Sequence, residues 1–332
     1  MPDASKTISS ADKLLISIVV PVYNEEDAVS ELHRRFCDVL DAQFSDYKFE
    51  FVFVDDGSRD KSLEKCKELS EKDDRIKVVE LRRNYGQTAA LQAGFDSAAG
   101  NIVVSLDADL QHFPEDLPKF IERMEAGADV VCGWRHQRQE GIIRRWPSRV
   151  ANWMIRKITG LQIHDVGTTY RAYRREILDD ILILGEHHRF VPVFAKVAGA
   201  RIEEVPIENI ERPHGESNYG IGRTLNVFLD LFFLYFYTRY LVKPIRIFGK
   251  LALACGAIAA LITLYLAIQW LATGDPVVRT HSGLFVVGSL LYLAAVQFLI
   301  GGVTSELMVR QYFTDSGHKS YKVRNVWQKS ED

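Results

Sequence analysis

The sequence predicts an α/β protein in which a mostly parallel sheet domain is followed by interfacial helices and a hairpin of two membrane-spanning helices. Three observations support this prediction. Short apolar runs alternate with helical patterns over residues 14–222, as is typical of parallel sheets with crossover helices. Polar and acidic residues follow several of these runs, and two long uncharged runs lie near the C-terminus.

The predicted strands are short apolar runs with polar flanks. They comprise residues 15–21, 49–55, 76–81, 102–106, 129–133 and 201–206. The predicted helices have apolar residues at helical spacing or are rich in small residues. They comprise residues 25–42, 60–72, 87–99, 144–159, 174–184 and 190–198. Gly86 is expected to open the helix that starts at Gln87, and Gly100 to cap it.

Composition excludes several classes of protein. The chain has 332 residues and a net charge of -3, so it can bury a large core but gives no electrostatic case for nucleic acid binding. Its four cysteines are scattered, which argues against a zinc site or a disulfide framework and fits a reducing compartment. Residues 1–13 are polar and lack a signal-peptide core, so a disordered lead-in is expected there.

Two uncharged runs, residues 251–274 and 282–305, are each long enough to cross a membrane, which takes about 20 apolar residues. We expect spans at about 250–273 and 282–305 within the region 248–306. The alternative is a pair of buried core helices. Lysines and arginines flank the hairpin on both outer sides. The positive-inside rule therefore places the sheet domain and the tail, residues 307–332, in the cytoplasm.

Residues 223–247 are apolar but interrupted by Asp230, Arg239 and Lys243. This pattern favours interfacial amphipathic helices that lie on the bilayer. The alternative is an ordinary amphipathic core helix. Small residues in the predicted spans permit a homo-oligomer.

Polar side chains follow the ends of three predicted strands, in segments 21–26, 55–60 and 107–111. Because ligands of open α/β sheets bind at the carboxyl ends of the strands, we expect these segments to form one site. Asp107, Asp109 and Gln111 offer carboxylate and amide oxygens at alternating positions, which suits Mg²⁺ or Mn²⁺. Such an ion can stabilise a diphosphate as a leaving group.

The three segments together resemble the motifs of the family-2 glycosyltransferases, which have the Rossmann-like, A-type glycosyltransferase fold. The resemblance implies that the first two segments hold the nucleotide of a UDP- or GDP-linked sugar. The nucleotide-binding residues that it implies are Pro21, Tyr23, Asn24, Glu25, Asp55, Asp56, Asp107 and Ala108. The third segment is implied to bind the cation through Asp107, Asp109 and Gln111. Residues 55–58 are also compatible with a helix-capping turn.

Further motifs resemble one branch of that family, the polyprenyl-phosphate glycosyltransferases, which include the dolichyl-phosphate mannose synthases. These motifs lie at residues 133–135, 144–148, 164–173, 188–192 and 211–219. The chain departs from the pattern in two places. Residues 168–170 are Thr-Thr-Tyr where Ser-Gly-Phe is frequent, which bears on the sugar pocket, and Asn218 replaces a frequent Lys near the lipid phosphate.

This branch implies a lipid phosphate as the acceptor. A phosphate monoester has its second pKa near ~6, so at neutral pH it is already a nucleophile that needs orientation more than a base. Arginine forks match phosphate oxygens. The implied acceptor-phosphate residues are Arg135, Arg144, Ser148 and Arg212. For each arginine, the alternative is a solvated surface charge.

Asp109 and Asp165 are the predicted catalytic residues. Asp165 would orient an arginine or a sugar hydroxyl, since a phosphate nucleophile makes a base redundant. The predicted reaction is metal-dependent, inverting transfer of a sugar to undecaprenyl or dolichyl phosphate at the cytoplasmic membrane face.

Two alternatives to this function stay open. A processive polysaccharide synthase would carry a Gln-x-x-Arg-Trp motif, but here Ile142 stands where that motif has Gln. The second alternative is a non-catalytic membrane scaffold that kept the fold. The sequence does not indicate which sugar is transferred, which base the donor nucleotide carries or which polyprenyl phosphate accepts the sugar.

Overall fold

The computed structural model describes residues 14–136, 153–181, 183, 185–210, 222–241 and 243–315. The chain divides into two compact units, Met1–Arg223 and Thr224–Asp332. The predicted lead-in at 1–13 and most of the predicted tail lie outside the described residues. The same holds for the predicted helix 144–159 apart from its last residues, 153–159, which are helical.

The first unit is built on a seven-stranded sheet. Its strands are β1 (Leu15–Val22), β2 (Lys48–Asp55), β3 (Ile76–Glu80), β4 (Ile102–Ser105), β5 (Val130–Arg135), β6 (Arg171–Arg174) and β7 (Ile202–Ile207). They lie in the order β3-β2-β1-β4-β6-β5-β7. Strand β6 is antiparallel to both of its neighbours, and the other pairs are parallel. The predicted mostly parallel α/β sheet is therefore confirmed.

Helices connect and follow the strands. They are α1 (Val29–Gln43), α2 (Ser62–Ser70), α3 (Gln87–Ser97), α4 (Leu117–Glu125), α5 (153–159), α6 (Arg175–Leu178), α7 (Val191–Val197), α8 (Gly222–Tyr240), α9 (Ile245–Thr273), α10 (Val277–Thr280) and α11 (Ser282–Asp315). Short 3₁₀ turns at Pro114–Asp116 and His187–Phe190 precede α4 and α7.

The core of the first unit lies against the central strands. Strand β1 is buried on both faces, with Ile16, Ile18 and Val20 on one and Ser17 and Val19 on the other, as expected for a parallel strand covered on both sides. Helix α4 presents Phe120 and Met124 to this core, one turn apart on the same helix face.

Parallel register brings three strand ends to one edge of the sheet. Val22 pairs with Asp55 at the ends of β1 and β2, and Val19 pairs with Ser105 near the ends of β1 and β4. The segments that follow, beginning at Tyr23, Asp56 and Leu106, therefore start side by side, as the sequence predicts.

Two local predictions are wrong. The helix predicted over 174–184 is shorter, since α6 comprises only Arg175–Leu178, and Arg174 instead ends strand β6, which was not predicted and which pairs with β4 and β5. Gly100 does not cap α3, which ends at Ser97. Its N–H donates to Ser17 Oγ at 2.7 Å, and the site of a Cβ there would lie 2.5 Å from that oxygen.

The second unit contains two helices, α9 and α11, that are long and apolar enough to cross a membrane. They pack closely at glycines: the Cβ position of Gly302 lies 2.9 Å from Phe248 Cβ, and that of Gly288 lies 3.2 Å from Ile262 Cγ2. Small residues let helix backbones approach in this way within a bilayer. Most of their other apolar side chains are exposed, as expected for surfaces that face lipid.

Candidate active site

The loops after β1 and β2 are joined by hydrogen bonds between side chains and backbone. Asn24 accepts from the Arg59 N–H at 2.8 Å, and its own N–H donates to Ser58 Oγ at 3.1 Å. The Glu25 N–H donates to Ser62 Oγ at 2.8 Å. Asn24 has φ 54, a left-handed conformation in which Asn is enriched. These bonds hold the two loops together, and the Tyr23 side chain beside them is exposed.

Asp55, the last residue of β2, is almost completely buried. Its Oδ2 accepts from the N–H groups of Gly57 and Ser58 at 3.1 and 3.2 Å. Its Oδ1 is also buried and has no hydrogen-bond partner among the described residues. A buried acceptor without a partner is costly, so this oxygen is suited to accept from a bound ligand. Asp55 thus forms the local turn and can bind a ligand as well.

Asp56 holds a neighbouring loop. Its two carboxylate oxygens accept from the N–H groups of Tyr85 and Gly86 at 2.7 and 2.9 Å. Gly57 makes this close approach possible, since its Cβ position would lie 2.6 Å from the backbone of Arg83 and Asn84. The start of α3 is thereby brought to the strand ends. This function was not predicted from the sequence.

Helix α3 in turn contacts the acidic segment after β4. Gln87, its first residue, donates from Nε2 to Asp107 Oδ1 at 2.6 Å. Two residues further on, Asp109 Oδ1 accepts from the Gln111 N–H at 3.2 Å across the left-handed Leu110, which has φ 59. The turn brings Asp107 and Asp109 close enough to affect each other's ionisation.

The electrostatics of this pair suit a cation. Burial and, secondarily, the charge of Asp109 raise the pKa of Asp107 to about 6. A divalent ion would favour the ionised form of both groups. Carboxylates, with the amide oxygen of the half-buried Gln111, form an all-oxygen donor set of the kind that Mg²⁺ and Mn²⁺ prefer. The residues present therefore fit the implied metal.

Arg135 and Asp165 form a bidentate ion pair. Arg135 Nε donates to Asp165 Oδ2 at 2.6 Å and Nη2 to Oδ1 at 3.0 Å, and the Gly167 N–H donates to the same Oδ1 at 3.0 Å. The pair is largely shielded from water, with side chains 16% and 4% exposed. Asp165 is therefore paired with an arginine, and its predicted role as a catalytic residue stays a prediction.

His112 lies buried beside this pair, with its ring 5.9 Å from that of Tyr170. Burial, followed by the positive charge of Arg135, lowers the pKa of His112 to about 4. The imidazole is therefore neutral at physiological pH.

Not every predicted site residue is described. Arg144, Ser148 and Arg212 lie outside the described residues. Pro21 and Glu25 are half-buried, and Ala108 is buried between the two acidic residues. Gln87 and Glu204, which contact site residues, were given no role from the sequence. Gln87 starts the predicted small-residue helix 87–99 and Glu204 lies in the predicted strand 201–206, and neither pattern indicates a contact with the site.

The chain belongs to glycosyl transferase family 2, because the model of that family matches residues 17–182. Similar proteins cover almost the whole chain. It is 36% identical to the dodecaprenyl-phosphate galacturonate synthase of Rhizobium johnstonii, over 97% of this chain and 95% of that protein. It is 39% identical to the undecaprenyl-phosphate 4-deoxy-4-formamido-L-arabinose transferase of Pseudomonas aeruginosa, over 90% of this chain and 86% of that protein. The family resemblance seen in the motifs is confirmed, including its polyprenyl-phosphate branch.

Solved structures share the fold of the first unit. Glucosyl-3-phosphoglycerate synthase from Mycobacterium tuberculosis, in complex with Mg²⁺ and uridine-diphosphate, aligns with a TM-score of 0.50 at 16% identity. The alignment covers 68% of this chain and 79% of that one. The predicted A-type glycosyltransferase architecture is confirmed.

Proposed function

We propose that this protein transfers a sugar from a nucleotide-diphosphate sugar to a polyprenyl phosphate at the cytoplasmic membrane face, with inversion at the anomeric carbon. The observation that carries this proposal is its similarity to polyprenyl-phosphate sugar transferases over nearly its full length, at 36% and 39% identity. The two candidate spans agree with an acceptor whose chain stays in the bilayer.

On the donor side, the unpartnered Oδ1 of Asp55 would accept from the base or ribose of the nucleotide. Pro21, Tyr23, Asn24 and Glu25 would line the pocket. Asp56 would contribute by holding Gly86 and the start of α3 in place.

Asp107, Asp109 and Gln111 would hold Mg²⁺ or Mn²⁺, which neutralises the diphosphate and makes it a better leaving group. Structural neighbours contain these ions together with uridine-diphosphate, which supports the assignment. Within this chain, Gln87 would fix the side chain of Asp107 through its 2.6 Å hydrogen bond.

On the acceptor side, Arg135 would bind a phosphate oxygen while Asp165 holds the guanidinium in place. An arginine fork has five N–H donors, so one guanidinium can contact a carboxylate and a phosphate together. Arg144, Ser148 and Arg212 are proposed as further phosphate contacts. The phosphate is already deprotonated and attacks in line, so a single displacement inverts the sugar carbon.

A panel of radiolabelled UDP- and GDP-sugars tests this proposal. Each is incubated with the purified full chain, undecaprenyl or dolichyl phosphate and Mn²⁺ or Mg²⁺, and label is counted in the organic extract. Transfer from at least one donor is expected, and only when the lipid phosphate is present. Label in a growing water-soluble polymer would indicate the processive synthase, and no transfer from any donor would favour the scaffold.

A further inference from the structure

Glu204 on β7 makes an unusual concentration of hydrogen bonds to one short segment. Its Oε1 accepts from the backbone N–H groups of His164 and Asp165 at 2.6 and 3.2 Å. Its Oε2 lies 2.8 Å from His164 Nδ1. The Glu204 carboxylate is only 10% exposed. One nearly buried side chain thus accepts hydrogen bonds from the backbone of both His164 and Asp165.

The sheet explains how Glu204 reaches this segment. Strand β7 pairs with β5 so that Glu204 lies opposite Cys132, and β5 ends at Arg135. Residues 164–165 are therefore held from two adjacent strands, by Glu204 through their backbone and by Arg135 through the Asp165 carboxylate. From β5, Trp134 also stacks on the His164 ring at 4.4 Å between centroids, with the planes 20° apart.

We propose that Glu204 is a positioning residue for the Arg135–Asp165 pair, and hence for the acceptor phosphate. This inference rests on the proposed function, in which that pair faces the acceptor. Glu204 acts through Asp165, because its recorded contacts are to the 164–165 segment rather than to Arg135. Without its carboxylate, two backbone N–H groups lose their acceptor and the segment can relax. The Asp165 carboxylate then no longer fixes the guanidinium.

Kinetics of Glu204→Gln and Glu204→Ala test the positioning function in the full chain. The adjacent Glu203→Gln is the matched control, since Glu203 lies on the same strand, is 42% exposed and only approaches Arg123 at 3.6 Å. Displacement of a positioned group by about 1 Å can cost about 100-fold in rate. We therefore expect kcat/KM for polyprenyl phosphate to fall about 10- to 100-fold in Glu204→Ala, and less in Glu204→Gln, which keeps one oxygen.

The KM for the donor sugar separates positioning from general damage. It should stay within about twofold of wild type in both Glu204 variants, because the hydrogen bonds described for Glu204 are to residues 164–165 and not to segments 21–26, 55–60 or 107–111. An equal loss of donor and acceptor affinity, or a loss of the same size in Glu203→Gln, would overturn the proposal.

Coupling to Asp165 provides a second readout. If Glu204 works only through Asp165, then Glu204→Gln should add little to the defect of Asp165→Asn, whereas independent effects would multiply. Multiplied losses would show that Glu204 acts elsewhere.

Hydrogen–deuterium exchange tests the same contact without any activity. The His164 and Asp165 amides should exchange faster in Glu204→Ala than in wild type, and should be unchanged in Glu203→Gln. Unchanged exchange in Glu204→Ala would refute the inference whatever the reaction proves to be. In contrast, faster exchange together with full activity of Arg135→Ala would refute the proposed acceptor site and leave the structural contact standing.

Discussion

At the scale of single residues, the site combines side chains that form hydrogen bonds to the backbone and a side chain that keeps one buried oxygen available to a ligand. Asp56 uses both of its carboxylate oxygens on backbone N–H groups. Its neighbour Asp55 uses one oxygen in the same way and keeps the other buried without a partner among the described residues. Adjacent aspartates of identical chemistry thus have different functions, and Asp55 is the better candidate for a nucleotide contact.

Asp55→Asn is expected to weaken nucleoside-diphosphate binding. The amide retains one acceptor oxygen, so either the turn or the ligand contact is lost. Loss of a hydrogen bond to a charged group costs about 1.5–3 kcal/mol, or roughly 10- to 150-fold in affinity. Isothermal titration with UDP and GDP in the presence of Mn²⁺ measures this. The exposed Asp74→Asn is the control, and unaltered affinity in Asp55→Asn would remove Asp55 from the pocket.

Gln87→Ala is expected to weaken cation binding, since Gln87 fixes the carboxylate of Asp107. Loss of a group that orients a metal ligand typically costs about 10- to 100-fold in affinity. Free Mn²⁺ can be followed by electron paramagnetic resonance during titration of the full chain. Asp96→Ala, an exposed position on the same helix, should bind like wild type. Equal affinity in Gln87→Ala would mean that Asp107 needs no such support.

The sequence allows the strand-end aspartates to be predicted, because carboxyl ends of parallel strands meet at one edge. It does not allow the contacts of Gln87 or Glu204 to be predicted. The first depends on a loop that Asp56 folds back onto the sheet. The second depends on which strands β7 and β5 pair with, and such pairing is fixed by long-range packing rather than by local pattern.

At the scale of elements, the antiparallel β6 is the main departure from expectation. Its four residues, Arg171–Arg174, run directly into helix α6, and the sequence pattern predicted no strand there, only a helix that begins at Arg174. Pairing with β4 on one side and β5 on the other decides the outcome. Helix α4, Leu117–Glu125, was likewise not predicted, whereas α2, α3 and α7 end within two residues of the predicted bounds. Because β6 follows the segment that carries Asp165, this unpredicted strand connects that segment to the sheet.

A polar cluster joins α1 to the connection between α2 and β3. Asp73 accepts from Arg75 Nη2 at 2.8 Å and lies 3.0 Å from His33 Nε2. Arg75, followed by weaker contributions that include His33, lowers the pKa of Asp73 to about 2. The cluster therefore favours the folded state only while Asp73 is ionised.

Asp73→Asn should destabilise the protein by about 1–2 kcal/mol at pH 7, a value discounted for the partial exposure of Arg75. Because the folded pKa is below the ordinary value, the contribution of Asp73 is present above about pH 4 and fades as the pH falls towards 2. Thermal unfolding in detergent should thus show the same difference at pH 7 and pH 5, and a smaller one below pH 4. The exposed Asp74→Asn is the control, and a difference that vanishes at pH 5 would contradict the cluster's description.

At the scale of the whole molecule, a glycosyltransferase domain and two candidate spans share one chain. Charge at the hairpin flanks predicts that the domain and the C-terminus are cytoplasmic and that the loop between α9 and α11 lies on the far side. An orientation of this kind can be predicted from the sequence, because hydropathy indicates the candidate spans and the charge of their flanks indicates which side stays in the cytoplasm. The identity of the transferred sugar cannot be predicted from the sequence, because the sugar pocket depends on packing around a few side chains.

Single cysteines test this orientation in a chain whose four native cysteines are replaced by alanine. Asp275→Cys in the hairpin loop and Asp27→Cys near the strand ends are both at exposed positions. A membrane-impermeant maleimide should label the first in intact cells and the second only after lysis. The reverse pattern would place the domain on the opposite face.

The most direct test of the central claim is the transfer of label from nucleotide sugar to polyprenyl phosphate by wild type and by Asp109→Ala. Wild type should place label in the lipid fraction, and the variant should lose at least about 100-fold of that rate, since a bound cation contributes several kcal/mol to such a step. The variant should still insert in the membrane and unfold at a similar temperature. Full transfer by Asp109→Ala would contradict the account.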